Sequence, residues 1–244
     1  MKNFIKKVYF KFINFLFPEY ITCCFCKEEL YEKGLICEKC IERLPFIKEG
    51  CKKCGCEVVS GDYCVRCKNA EFDFDGSLAV CDYDDFVKNI IYKYKNGDKY
   101  LYEPLAFLME HKIKSSGWNI DLLAFVPITE RVLKKRGYNQ SGLIADYLSK
   151  RLNIPCHNAF IKIKESDFQK HITARQRRKN VKGVFLLKDK ENVKGKDVLI
   201  IDDIITTGST LSECARVFKS GGAKSVRCCT FSAVKAEIAF DKSY

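Results

Sequence analysis

The sequence predicts an α/β protein, with a parallel sheet flanked by helices and a small cysteine-rich zinc-binding module in front of it. Apolar runs alternate with helical patterns after about residue 70, which is typical of a parallel sheet. Ten of the 15 cysteines lie before residue 70. One apolar run, "VLII", ends in two adjacent aspartates. Three regions are predicted: an amphipathic helix over 1–20, a zinc-finger-like cysteine module over 21–70 and the α/β domain over 71–244.

The N-terminal segment has the apolar spacing of an amphipathic helix that ends near Pro18. It is too short and too charged to span a bilayer. We expect it to pack against the chain's own core. The alternative is peripheral contact with the inner face of the membrane, which a basic amphipathic helix can make.

The cysteine usage indicates metal binding rather than disulfide bonding. Lysines interrupt the first apolar residues and no small-residue cleavage site follows them, so the pattern is not that of a secretory signal. We therefore expect a cytoplasmic protein, in which closely spaced cysteines stay reduced and hold a metal ion. The composition, 47% hydrophobic and 30% charged residues, is that of a folded globular chain.

Eight cysteines form four Cys-x-x-Cys pairs in the module. They are Cys23, Cys26, Cys37, Cys40, Cys51, Cys54, Cys64 and Cys67. Each pair lets two sulfurs face one ion, and four thiolates complete a tetrahedral structural Zn²⁺ site with no position left open for water. Two ions bound by consecutive pairs is the simplest arrangement; a single ion, or an interleaved pairing, stays open. Cys24 and Cys56 lie beside ligand positions and are expected to be spare.

The elements of the α/β domain follow in order. Strands are predicted at 76–84, 120–128, 181–187, 197–203 and 225–234, from short apolar runs bounded by charged or turn residues. Helices are predicted at 84–113, with a break at Asn96-Gly97, at 138–154, and at 210–223, where Gly221-Gly222 closes the helix.

The stretch from 198 to 210 predicts a binding site. In an open parallel sheet, ligands bind beyond the carboxyl ends of the strands. Asp202 and Asp203 emerge there, and a turn of hydroxyl and glycine residues leads into the next helix. The turn consists of Thr206, Thr207, Gly208, Ser209 and Thr210. Its amides and hydroxyls can wrap a phosphate at the helix N-terminus, whereas carboxylates accept hydrogen bonds from sugar hydroxyls. A sugar phosphate satisfies both halves; the alternative is an ordinary strand–turn–helix with hydroxyl caps.

A basic block lies between residues 131 and 188. It holds fifteen Lys and Arg against three acids, an excess equal to the net charge of +12 of the whole chain. Such a block indicates an anionic partner such as phosphate, pyrophosphate or a nucleic-acid backbone. The alternative is a solvated loop that keeps the protein soluble.

The stretch "VLIIDDIITTGST" resembles the phosphoribosyl-pyrophosphate (PRPP) signature of type I phosphoribosyltransferases. The resemblance implies that Asp202 and Asp203 hold the ribose 2- and 3-hydroxyls and that residues 206–210 hold the 5′-phosphate, with Mg²⁺ accompanying PRPP. Four arginines are then candidates for contacts with pyrophosphate or DNA phosphates: Arg131, Arg136, Arg177 and Arg178. The polar, basic segment 164–180 is a candidate loop that closes over the site.

The whole chain resembles proteins of the ComF family, which join a cysteine module to a phosphoribosyltransferase domain. The motifs are "NFLFP", the cysteine pairs, "KYKNGD" (Lys93–Asp98), "KKRGYNQ" (Lys134–Gln140), and Gln169, Arg177 and Asn180 followed by "GVF" (Gly183–Phe185). The chain departs at "ITER", where relatives often carry a further proline and His-Pro before an arginine. The details of a pyrophosphate loop at Ile128–Arg131 therefore stay open.

The ComF resemblance implies a cytoplasmic PRPP-binding protein of natural competence. Its partners would be incoming single-stranded DNA and other competence proteins. Two alternatives stay open: a true phosphoribosyltransferase of nucleotide salvage, and a non-catalytic regulator that senses PRPP. The sequence does not indicate an acceptor substrate, and so it leaves open whether the chain transfers a phosphoribosyl group.

Overall fold

The computed structural model describes residues 21–32, 34–68, 70–162 and 183–235. The helix predicted over 1–20, the loop predicted over 164–180, and Arg177 and Arg178 lie outside the described residues. The chain divides into two compact units, Met1–Leu44 and Pro45–Tyr244. This division falls inside the module predicted over 21–70, so each unit contains four of the eight predicted cysteine ligands.

The smaller unit is built around its cysteines. Its one described helix, α1, spans Glu38–Glu42, and an isolated bridge pairs Thr22 with Glu29. The amide of Cys37 donates to Sγ of Cys23 over 3.3 Å. Tight turns of this kind hold the cysteine side chains on a common centre.

The larger unit begins with a second cysteine segment. A bridge pairs Gly50 with Glu57, and the amide of Cys51 donates to the carbonyl of Cys56 over 2.7 Å. The short helix α2, Val65–Lys68, carries the last cysteine of this segment.

A five-stranded parallel sheet forms the centre of the larger unit. The chain contains strands β1 (Gly76–Asp82), β2 (Leu122–Phe125), β3 (Cys156–His157), β4 (Phe160–Lys162), β5 (Phe185–Leu187), β6 (Asp197–Ile205) and β7 (Ser225–Ala233). The main sheet has the order β1-β7-β6-β2-β3, and all its described pairs are parallel. Residues 198–201 of β6 are buried, as expected of a central strand covered on both faces. The predicted parallel sheet is confirmed.

Helices connect and cover these strands. They are α3 (Asp85–Lys95), α4 (Tyr102–Ser115), α5 (Glu130–Arg136), α6 (Gln140–Leu152) and α7 (Ser209–Ser220). The side chain of Asp84 caps α3 by accepting from the amide of Val87 over 2.8 Å. A 3₁₀ turn, Lys99–Leu101, separates α3 from α4, so the predicted break near Asn96-Gly97 is observed. Within the described residues, no helix combines the length and apolar character needed to cross a membrane.

Three local features differ from the sequence-based prediction. Of the strand predicted over 181–187, the described residues 183–187 contain only β5, which pairs with β4 in a separate antiparallel sheet. Helix α5 was not predicted, although Thr129 caps its start and Gly137 ends it in the left-handed region. Strand β6 continues two residues beyond the predicted 197–203, to Ile205, so that both aspartates lie near its carboxyl end.

The sheet topology places a crevice between β2 and β6. The chain passes from β2 through α6 to β3 on one side, and from β6 through α7 to β7 on the other. The carboxyl ends of β2 and β6 are therefore adjacent while their connections diverge, which makes this the topological switch point of the sheet. Ligands of open α/β sheets bind at such points.

Candidate ligand site and metal centres

Two aspartates form the acidic half of the candidate site. Oδ1 of Asp202 accepts from the hydroxyl of Ser141 over 2.7 Å and from the amide of Asp203 over 2.9 Å. Asp203 is buried, and its Oδ2 lies 2.7 Å from the ammonium nitrogen of Lys95. Helices α3 and α6 thus each place one side chain on the acid pair.

Burial and mutual repulsion shift the ionisation of this cluster. Burial, followed by the negative charge of Asp203, raises the pKa of Asp202 to about 7, although Ser141 and Lys95 act in the opposite direction. Burial opposes the charge of Lys95, but the attraction of Asp203 outweighs it, so the pKa of Lys95 is raised. The cluster therefore holds one firmly charged cation and one carboxyl that titrates near neutral pH.

The turn after β6 is the predicted phosphate-binding turn, Thr206–Thr210, which we call the phosphate loop. Gly208 has φ of 76°, in the left-handed region that favours glycine, and α7 begins at the next residue. The hydroxyls of Thr207 and Ser209 lie 2.9 Å apart and are buried. The carbonyl of Thr206 accepts a hydrogen bond from Arg66. The loop thus presents hydroxyls and the amides of a helix N-terminus at the carboxyl edge of the sheet.

The structure separates the predicted arginines. Nη1 of Arg136 donates to Oε1 of Gln140 over 3.1 Å, and the charge of Arg136 acts on Lys95. Arg131 is exposed and lines a cavity of about 780 Å³ together with Phe125 and Lys188. None of the seven residues predicted to bind PRPP lines that cavity. The two predicted arginines that are described thus differ: Arg136 lies near Lys95, whereas Arg131 lines the cavity.

Three side chains that contact the candidate site were not assigned a role from the sequence. Lys95 lies inside the motif "KYKNGD", Ser141 follows "KKRGYNQ", and Arg66 lies between two cysteines. The first two motifs carry a signal, because cationic and polar residues are concentrated there. Which of their residues reaches the acids depends on how α3 and α6 pack, and the local sequence does not contain that information.

The two groups of four cysteines have the geometry of metal sites. Ligand sulfurs lie within 4.8 Å of one another in Cys23, Cys26, Cys37 and Cys40, and likewise in Cys51, Cys54, Cys64 and Cys67. Sγ of Cys26 lies 3.7 Å from that of Cys37. Tetrahedral zinc with bonds of about 2.3 Å places its sulfurs about 3.8 Å apart. The donor set therefore fits structural zinc, and the consecutive pairing is the one observed.

Comparison with known families defines the class of protein. Residues 134–244 match the phosphoribosyl transferase domain, and residues 12–68 match the double zinc ribbon domain. The chain is therefore a phosphoribosyltransferase-fold protein with an N-terminal double zinc ribbon. The predicted fold class is confirmed.

Individual relatives align with this chain over most of their length. The chain is 28% identical over 218 residues to Competence protein F of Haemophilus influenzae, covering 84% of this chain and 93% of the relative. It is also 28% identical over 200 residues to DNA utilization protein YhgH of Escherichia coli K12, covering 79% of this chain and 87% of the relative. The chain is a homologue of these two proteins, which confirms the resemblance to the ComF family.

Among solved structures, the purine phosphoribosyltransferase from Pyrococcus horikoshii Ot3 is similar to this chain. It has 20% sequence identity and a TM-score of 0.32, and the match covers 52% of this chain and 70% of that one.

Proposed function

We propose that this protein binds PRPP at the carboxyl end of β6 and uses it in handling incoming single-stranded DNA in the cytoplasm during competence. One observation carries the binding proposal. An acid pair and a hydroxyl-rich helix N-terminus follow one another on a single strand–turn–helix at the switch point of the sheet.

The phosphate loop supports the 5′-phosphate end of the ligand. Helix α7 has 12 residues, so its N-terminus carries an appreciable positive dipole. The amide of Ser209, the first residue of α7, donates to the hydroxyl oxygen of Thr207 over 3.4 Å, and the hydroxyls of Thr207 and Ser209 lie 2.9 Å apart. A phosphate dianion fits this environment better than a neutral group, because amide donors and dipole both favour negative charge.

The acid pair supports the ribose. A carboxylate accepts hydrogen bonds only, and a ribose diol offers two hydroxyl donors. Asp203 now contacts Lys95, and Asp202 contacts Ser141. We expect the ribose hydroxyls of PRPP to donate hydrogen bonds to the same carboxylates, with the Lys95 ammonium turning towards the pyrophosphate. Lys95 therefore stays close to the acid pair both before and after PRPP binds.

The pyrophosphate end needs cations. Lys95 and Arg136 are the described candidates close to the acid pair, and Arg131, Arg177 and Arg178 remain candidates from the sequence. Mg²⁺ bound with PRPP would neutralise pyrophosphate oxygens. The side chains would then hold the pyrophosphate in place and stabilise its charge.

The DNA part of the proposal rests on charge and on relatives. DNA utilization protein YhgH is named for DNA and Competence protein F for competence, and both align with most of this chain. The net charge of +12, concentrated in the block from 131 to 188, suits a polyanion. Other competence proteins are the proposed protein partners.

Calorimetry with PRPP and Mg²⁺ tests the binding site. We expect the wild type to bind, and Asp202→Asn combined with Asp203→Asn to weaken binding at least tenfold, because amides accept sugar hydroxyls less strongly than carboxylates. Asp62→Asn combined with Asp85→Asn, at exposed positions, is the charge-matched control and should stay within about twofold. Unchanged affinity in the acid variant would contradict the assignment.

Two further measurements separate the alternatives. Affinity for single-stranded DNA should fall steeply between about 50 and 200 mM salt, because phosphate contacts release counterions. A salt-independent affinity would argue against phosphate contacts. Screening nucleobases and amines for pyrophosphate release distinguishes a transferase from a PRPP sensor: release with one acceptor establishes transfer, and saturable binding without release with any acceptor favours a sensor.

A further inference from the structure

We propose that Arg66 is a positioning residue that couples the second metal centre to the phosphate loop. The second metal centre is Cys51, Cys54, Cys64 and Cys67. On this proposal the metal-loaded centre holds the loop in its phosphate-binding form, and a ligand in the loop strengthens retention of the metal. The part of this proposal that concerns a ligand in the loop rests on the proposed PRPP site.

Arg66 bridges the two sites directly. It lies on α2 between two cysteine ligands and is only 4% exposed. Nη2 donates to Sγ of Cys54 over 3.2 Å, and Nη1 donates to the carbonyl of Thr206, 140 residues further along the chain. Because the guanidinium is planar and rigid, one side chain fixes the distance and angle between a metal ligand and the first residue of the phosphate loop.

The partners of Arg66 are unusual for a buried arginine. Buried arginines are generally paired with an acidic group. Here the negative partner is the cysteine cluster, since four thiolates around one divalent zinc ion carry a net charge of about −2. A donor to a ligand sulfur orients the ligand and stabilises its charge, and loss of such an outer partner typically costs 10–100-fold in metal affinity. Arg66 therefore serves the metal centre and the loop together.

The segment that follows the cysteines makes a second connection to the same turn. The Phe72 ring packs against Gly208 so closely that a Cβ there would lie 2.8 Å from it. The amide of Asp73 donates to the hydroxyl of Ser212 over 3.0 Å, and that hydroxyl donates to the carboxylate of Asp73 over 2.8 Å. Loop residues and the first turn of α7 are thus contacted by chain that the metal centre holds in place.

The buried core connects the second metal centre to the residues around the phosphate loop. Cys51, Cys54 and Cys64 belong to the same buried core as Phe72 and Leu211. Without metal, four thiols have no common ion to hold α2, so the Arg66 side chain loses its fixed position. Because binding free energies are reciprocal, any gain that metal brings to ligand binding must appear as an equal gain in metal retention when the ligand is present.

The experiment compares three variants of the full chain with the wild type. Arg66→Met removes the bridge, and Arg66→Lys keeps the charge but cannot hold both partners at once. Lys68→Met removes a positive charge from the exposed end of the same helix and is the matched control. For each we measure zinc per chain, the chelator concentration that removes half of each zinc, the Kd for PRPP, and hydrogen exchange of the peptide covering 204–210.

We expect both Arg66 variants to raise the PRPP Kd about tenfold and to speed exchange over 204–210, with Lys68→Met within about twofold of wild type. In the wild type, PRPP should raise the chelator concentration needed to remove one of the two zinc ions by about tenfold, and this difference should vanish without Arg66. If Arg66→Met does not fold, the comparison of Arg66→Lys with the wild type tests the proposal.

The proposal would be overturned if the folded Arg66 variants showed the same hydrogen exchange over 204–210 and the same PRPP Kd as the wild type. If the wild type itself does not bind PRPP, the proposed function fails, and the exchange comparison alone still decides whether Arg66 positions the loop.

Discussion

The ammonium nitrogen of Lys95 lies 2.7 Å from a carboxylate oxygen of Asp203. The lysine ends helix α3, and the aspartate lies near the end of β6, so the contact joins elements that are distant in the chain. Two adjacent carboxylates at a sheet edge repel each other, and this cation offsets the repulsion before any ligand arrives. The proposed site is therefore stabilised in its free form by a group that also suits a pyrophosphate.

The Lys95–Asp203 pair should be measurable as a coupling energy. Lys95→Met leaves a nearly buried carboxylate without its cation and should lower the free energy of unfolding by about 1–3 kcal/mol. Asp203→Asn should cost less in the Lys95→Met background than alone. A double-mutant cycle by urea denaturation measures this; strictly additive effects would show that the ion pair contributes nothing.

The raised pKa of Asp202, about 7, predicts a pH dependence of stability. An unfolded aspartate titrates near 3.9, so the folded state holds the proton more tightly. The stabilisation from this group is fully present below about pH 4 and is lost as pH rises through about 7. In Asp202→Asn this decline in the free energy of unfolding should be absent. The decline itself is less than about 4 kcal/mol, because the pKa of the group differs by about three units between the unfolded and folded states. Urea denaturation from pH 4 to 8 checks this; parallel curves for variant and wild type would contradict it.

Gly208→Ala should damage the phosphate loop. A non-glycine residue at positive φ costs about 1–3 kcal/mol, and here the new Cβ would also meet the Phe72 ring at 2.8 Å. Gly137→Ala is the control, because its φ is 78° but a Cβ there meets nothing within 4 Å. Thermal melting should show a larger loss for Gly208→Ala, and calorimetry should show weaker PRPP binding only in that variant. Equal losses of stability in the two variants would mean that the Phe72 ring moves aside without cost, which would contradict the prediction.

The two cysteine clusters should behave differently when one ligand is lost. Metal analysis should find two zinc ions per wild-type chain and one in either Cys26→Ser or Cys54→Ser. Cys54 is fully buried in the core of the larger unit, whereas Cys26 is exposed in the smaller one. Cys54→Ser should therefore lower the melting temperature of the larger unit, and Cys26→Ser should leave it unchanged. The same melting temperature in both variants would contradict this assignment of the clusters.

Much of the fold could be predicted because its signals are local. The buried run of β6, the Cys-x-x-Cys pairs and the turn at Gly208 each lie within a few residues. The short strands β3 and β4 have too few residues to show a period, and α5 is a seven-residue helix with no buried face. These elements depend on their neighbours, and the sequence does not predict them.

The residues of the candidate site also fall into those with a local sequence signal and those that depend on packing. Asp202, Asp203 and the phosphate loop are consecutive in sequence, so their pattern can be read directly. Lys95, Ser141 and Arg66 arrive from three other parts of the chain, and only the packed structure shows that they converge. The four cysteine pairs recur at nearly equal intervals, so their spacing carries no sign of the division at Leu44 between the two compact units.

The boundary between Leu44 and Pro45 has an evolutionary consequence. Every described residue of the proposed ligand site, and the arginine that links it to a metal centre, lies on the Pro45 side. Drift, insertion or replacement of the first four-cysteine cluster would leave these contacts intact, while the second cluster is constrained by the turn it contacts. Homologues should therefore vary freely in the first four-cysteine cluster and preserve the second metal centre, together with Arg66, wherever the phosphate loop is preserved.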